Sequence, residues 1–146
     1  MSEKKNRRTI LKLLATLPFF GFLKTATAKE TDEFFTGKVN LPDVTNYFKN
    51  GKLHREDGPA VIHNGTKEWY QNGEKHRVDG PAIITNGEKW WYQNNLLHRT
   101  DGPAIEYDDG TKVWYQNGVK HRIDGPAIVS PRGNGNAWFE NGIFIK

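Results

Sequence analysis

The chain of 146 residues contains no cysteine, and only 36% of it is hydrophobic. The first absence excludes a disulfide framework, thiolate chemistry and Cys-ligated zinc or iron-sulfur sites, and it leaves the redox compartment open. The second argues against a thick aliphatic interior in a chain long enough for one domain. Beyond residue 28 no stretch supports a helix of three turns. There is no Gly-x-Gly-x-x-Gly run, phosphate loop or Gly-x-Ser-x-Gly elbow, which removes the common nucleotide and serine-hydrolase motifs.

The apolar residues that the chain does have begin with a run at the start, in "MSEKKNRRTILKLLATLPFFGFLKTATAKE". A basic segment precedes the apolar residues 10–23, broken only by Lys12, and Ala26-Thr27-Ala28 follows. That order is the charged region, apolar region and small-residue cleavage site of an export signal. Residues 13–23 contain Pro18 and stop at Lys24, against about 20 residues needed to span a bilayer. Arg7-Arg8-Thr9-Ile10-Leu11-Lys12 resembles the twin-arginine export consensus. The resemblance implies a helical signal peptide over residues 1–28, cleavage after Ala28, and delivery of the folded protein to a periplasmic or secreted location. An uncleaved anchor and a first helix of the fold are the alternatives.

This leader holds six of the 21 Lys and Arg and one of the 17 Asp and Glu. The remainder then carries 15 basic and 16 acidic residues, a formal charge of −1, so the pI near 9.3 belongs to the leader. Nucleic-acid binding, which needs clustered Lys and Arg in excess, loses its support.

Residues 47–146 repeat themselves. The units read "YFKNGKLHREDGPAVIHNGTKE", "WYQNGEKHRVDGPAIITNGEKW", "WYQNNLLHRTDGPAIEYDDGTKV" and "WYQNGVKHRIDGPAIVSPRGNGNA", with a half-unit "WFENGIFIK". Each full unit offers three turn signals. Asn50-Gly51, Asn72-Gly73, Asn94-Asn95, Asn117-Gly118 and Asn141-Gly142 follow the aromatic pairs, and Asn95 keeps the tolerance of positive φ where glycine is lost. A second series, Asn64-Gly65, Asn86-Gly87, Asp109-Gly110 and Asn134-Gly135, predicts two-residue hairpin tips. A third, Asp-Gly before proline, predicts a turn that opens a new strand.

Runs such as 59–63 and 66–71 predict strands of about five residues. The expected fold is all-β: tandem hairpins, one per unit, stacked into an elongated twisted sheet or solenoid. Residues 29–46 form a linker or N-terminal cap, and 47–146 the repeat domain. Trp69, Trp91, Trp114 and Trp138 are expected in a cross-unit ladder, with Tyr70, Tyr92, Tyr115 and Phe139 on the opposite face. Val61, Ile83, Ile105 and Ile128 complete a thin core, and Ala60, Ala82, Ala104 and Ala127 mark a close approach.

The run "NG-x-x-H", a Gly-containing turn, a strand, "(D/N)G" and an aromatic strand resembles the MORN repeat, a β-hairpin unit. The correspondence lies in Asn72-Gly73, His76, Gly80, Gly87 and Trp91-Tyr92, and recurs in the other units. Arg55, Arg77, Arg99 and Arg122 stand where the usual unit has glycine, so the chain is a variant built of "WYxNGxxHRxDGPA" units. The resemblance implies a scaffold that binds proteins, or a membrane-associated module that binds acidic lipids.

His54, Arg55 and Asp57; His76, Arg77 and Asp79; His98, Arg99 and Asp101; and His121, Arg122 and Asp124 look like reactive sets. Catalysis calls for one constellation in a pocket, whereas positions that recur in a stack meet one packing problem repeatedly. The expectation is structural: Asp accepts from its own turn and Arg pairs with an Asp. The Trp and Arg series are the candidate binding positions. No catalytic residue, cofactor or metal is expected, since equivalent His residues two strands apart are about 10 Å from one another.

The leading expectation is a non-catalytic exported module that binds an unknown protein or envelope component. Membrane contact would come only through an uncleaved leader or a lipid-binding face. The alternative is a carbohydrate or cell-wall-binding array, because Trp-, Tyr- and Gly-rich hairpins also resemble choline-binding and related cell-wall repeats.

Overall fold

The computed structural model describes residues 35–133 and 135–146, and these contain strands and turns but no helix. The export signal assigned to residues 1–28 lies outside the described residues.

The turns after the aromatic pairs set the architecture. In all five, both residues hold positive φ, between 48° and 87°, and Asn95 reaches 62° without being glycine. Two left-handed residues in succession form the type I′ turn, whose twist suits a two-residue hairpin.

The chain enters through β1 (Gly37–Asn40), β2 (Val44–Lys49), β3 (Lys52–Leu53), β4 (Val61–His63) and β5 (Thr66–Glu68). The second unit adds β6 (Tyr70–Gln71), β7 (Glu74–Lys75), β8 (Ile83–Ile84) and β9 (Lys89–Trp90). The third adds β10 (Tyr92–Gln93), β11 (Leu96–Leu97), β12 (Ile105–Glu106) and β13 (Lys112–Val113). After these come β14 (Tyr115–Gln116), β15 (Val119–Lys120), β16 (Ile128–Val129), β17 (Phe139–Glu140) and β18 (Ile143–Phe144).

One long antiparallel sheet runs β1-β2-β4-β5-β8-β9-β12-β13-β16, with β3 also on β2. Four short hairpins stand apart from it: β6-β7, β10-β11, β14-β15 and β17-β18. The expected five-residue strand is therefore broken, and a unit holds two hairpins instead of one. The break falls at the Trp. The Trp69 N–H donates to the Ala82 carbonyl at 2.8 Å, while its own carbonyl accepts from the His76 N–H at 3.1 Å. Trp91 and Trp114 divide their two groups in the same way. The backbone turns a corner at this residue, out of the long sheet and into a short hairpin.

The tips of the long sheet are less uniform than the sequence suggests. Asn64 and Gly65 both have positive φ, but Asn86 and Gly87 do not; there Thr85 Oγ1 accepts the Glu88 N–H at 3.0 Å. At the next tip only Gly110 is left-handed, and Asp109 Oδ1 accepts the Thr111 N–H at 2.8 Å. The added residues of the third and fourth units fall at such tips, which leaves the register Ile105↔Val113 and Val113↔Ile128 in step with the earlier units.

The core is thin. Ala60, Ala82, Ala104 and Ala127 are fully covered, and Val39, Phe48, Ile105 and Val113 are buried with them. Val61, Ile83 and Ile128 are only half-buried. Asn46 is buried at 2% exposure, and its Oδ1 accepts no hydrogen bond from the described residues.

Candidate functional site

Short hairpins of two residues a side are not stable alone, and three hydrogen bonds per step tie each to the unit before it. The carbonyls of Leu53, Lys75, Leu97 and Lys120 accept from Gly73, Asn95, Gly118 and Gly142 at 2.8 to 3.0 Å. The Arg55, Arg77, Arg99 and Arg122 N–H groups donate to the carbonyls of Tyr70, Tyr92, Tyr115 and Phe139. The third bond uses the histidines. The N–H groups of Asn72, Asn94, Asn117 and Asn141 lie 3.0, 3.3, 3.1 and 3.3 Å from Nδ1 of His54, His76, His98 and His121.

At His76 and His98 the same Nδ1 is also 2.9 Å from the side-chain oxygen of Asn94 or Asn117, so either ring tautomer finds a partner there. One residue in this series escaped sequence reading. Thr36 Oγ1 accepts the Asn50 N–H at 2.9 Å, and the Phe35 carbonyl accepts from Gly51 at 2.7 Å, so residues 35–36 act as a histidine step without a histidine. No motif letter announces this, because a hydroxyl and an imidazole share only their acceptor.

The arginines do not face solvent. The guanidinium carbons of Arg77, Arg99 and Arg122 lie 4.1, 4.0 and 3.9 Å from the ring centres of Trp69, Trp91 and Trp114, and Arg55 lies 4.0 Å from Tyr47. Each such stack contributes about 1 kcal/mol. The expected cross-unit ladder of indoles is replaced by these pairs, each within one unit; among the described residues the ring–ring contacts are Phe35–Phe48, Trp90–Tyr107 and Phe139–Phe144. Lys146 takes the arginine's place over Trp138, at 4.9 Å.

The far side of each guanidinium meets the glycine of the Asp-Gly-Pro-Ala run. A Cβ at Gly58, Gly80, Gly102 or Gly125 would sit 3.1, 3.1, 2.9 or 3.1 Å from the guanidinium carbon. None of the four has positive φ. The glycine of the third turn signal is therefore required by close approach and not by backbone handedness. Arginine Nε donates to Asp57, Asp79, Asp101 and Asp124 at 2.7, 3.0, 2.8 and 2.9 Å, always in its own unit. NH1 reaches the carbonyls of Pro59, Pro81, Pro103 and Pro126. These arginine bonds hold all four carboxyls below the ordinary range, mainly through the hydrogen bond itself.

The tyrosine face is closed in another way. Tyr70 donates its hydroxyl to Glu68 at 2.9 Å, and burial with the Glu68 charge pushes its ionisation upward. Burial raises Tyr92 and Tyr115 likewise. Lys75 stands near the rings of Tyr70 and Tyr92, 3.8 Å from Glu68. These phenols remain neutral and serve as packing.

The open space lies on the other side, between successive corners. A cleft of about 510 Å³ is lined by Arg55, Asp57 and Pro59 of the first unit and Trp69, Gln71, His76, Arg77 and Asp79 of the second, with Glu56 and Val78 at its lips. Its size is in the range of small-ligand sites. Among the described residues no three His, Asp or Glu side chains gather in a way that could hold a metal ion. Comparisons with protein-family models, characterised proteins and solved structures each find no match to this chain.

Proposed function

We infer that the protein is an exported, non-catalytic repeat module of MORN-like type that holds an envelope component along its row of corners. One observation carries this reading. Each corner His accepts a bond from the next unit, each Arg is stacked on its own Trp or Tyr47, and each Asp gives one oxygen to that Arg, so among the described residues no corner His is paired with its Asp. A general base must reach a substrate proton, and groups already committed to the fold do not. What remains outward is a surface repeated unit by unit, suited to an extended partner.

The module reading predicts graded behaviour. Retention of the protein by an isolated envelope fraction should fall stepwise as Gln71, Gln93 and Gln116 are changed to alanine one at a time. Complete loss on changing a single unit, with the fold intact, identifies one privileged site and overturns the reading. Export is tested separately: the mature protein is expected to begin at Lys29, and Arg7→Lys with Arg8→Lys is expected to hold the precursor in the cytoplasm.

A further inference from the structure

Most polar side chains that recur from unit to unit have partners inside the fold; the exceptions are Lys67, Lys89 and Lys112, exposed on the long sheet, and a row of glutamines. Asn supplies the left-handed turn, His the cross-unit bond, Arg the stack on Trp, and Asp the arginine's acceptor. Gln71, Gln93 and Gln116 are identical too, yet their amides form no hydrogen bond among the described residues. Each lies two residues after a Trp, at the start of a short hairpin. In the cleft Trp69 and Gln71 line the wall together. An amide kept at three successive steps with no internal work is available to a ligand.

The chemistry of the cleft narrows the ligand. Asp57 and Asp79 are about four-fifths exposed, and only one oxygen of each is taken by arginine. Their outer oxygens are carboxylate acceptors, while Glu56 is held by Lys49 and His54, and Arg55 and Arg77 line the cleft with their guanidinium groups stacked and paired. Such a wall has its charges paired and accepts hydroxyl donors, and a primary amide both gives and receives hydrogen bonds. The residue between Arg and Asp varies as Glu56, Val78, Thr100 and Ile123, so the lips are not the shared determinant.

Spacing discriminates further. Equivalent strands such as β4, β8 and β12 are two positions apart in the sheet, a step of about 9.5 Å. An extended peptide covers that step in about three residues, an odd number, so its side chains would face alternate corners in opposite senses. A polyproline helix matches the step, but it docks its rings on bare aromatic faces, and here one face of each Trp lies under arginine. A disaccharide of a β-1,4-linked chain spans about the same step and repeats its hydroxyl pattern at each one.

We propose that the row of corners binds a neutral β-1,4-linked glycan, one disaccharide per unit, with the glutamine amides and outer aspartate oxygens bonding its hydroxyl groups. This rests on the repeat-module reading and names its ligand. Calorimetric titration of the purified protein with cello- and chito-oligosaccharides of two, four and six rings is expected to show affinity rising about tenfold or more with length, as linked sites act together. The indole N–H resonances of Trp69, Trp91 and Trp114 are expected to shift in the same titration. The triple Gln→Ala variant should keep its Tm and lose the length dependence.

Absence of hexasaccharide binding overturns the proposal, as does binding that persists unchanged in the triple variant. Perturbation of these indoles by a proline decamer, and not by the glycans, assigns the corners to a peptide and overturns it also. In each of these cases graded retention by the envelope fraction leaves the module reading standing; loss of gradation removes that reading by itself.

Discussion

Arg77 sits between an indole and a glycine, and each neighbour sets a measurable cost. Gly80→Ala places a methyl 3.1 Å from the guanidinium carbon at a backbone position that alanine tolerates, so the loss is that of the stack. We expect about 1–2 kcal/mol in chemical denaturation, with altered Trp emission. An unchanged midpoint would show that the arginine moves aside freely. Asn46→Val tests the opposite sign. The buried, unaccepting Oδ1 is replaced by a β-branched side chain suited to a strand, and Tm should rise, by about 1 kcal/mol in stability. The aspartates add a pH dependence. Their folded pKa values lie below the unfolded value of about 3.9. Their contribution is complete above that value and is lost as pH falls through the folded ones. Denaturation midpoints followed from neutral to strongly acid pH should drop in the native protein, and drop less in the variant with all four Asp→Asn. Residue types and spacing made the Arg–Asp pairing legible, but not the reason for the glycine: a letter that signals a turn elsewhere serves here because a guanidinium needs the room.

Among the elements, the short hairpins depend on the units before them. His76→Thr should retain stability within a few tenths of a kcal/mol, because Thr36 already performs this task with a hydroxyl; His76→Leu, which has no acceptor, should cost about 1–2 kcal/mol. Equal losses in the two variants would show that the ring acts by packing and not by accepting a bond. The Asn-Gly hairpins could be read from the chain because the demand for two left-handed residues is local. The break of each long strand at Trp69, Trp91 and Trp114 could not. The N–H and carbonyl of one residue serve two different hairpins, and a single strand propensity contains no sign of that division.

For the whole molecule, stability is expected to add nearly linearly over units, since each touches only its neighbours. Deleting residues 69–90, one complete 22-residue unit, should leave a folded, shorter array whose denaturant m-value is lower by roughly a fifth. A molten product would mean that the units are not interchangeable. The sequence by itself determined the repeat, its turn chemistry, the all-β class and the pairing of Arg with Asp, because these follow from local backbone preference and from charge at fixed spacing. Only the tertiary structure decided that indoles stack on guanidinium groups instead of on each other, that histidines fasten one unit to the next, and that the glutamines are left over. Those outcomes depend on which surfaces two packed units present to one another, a relation that no single unit contains.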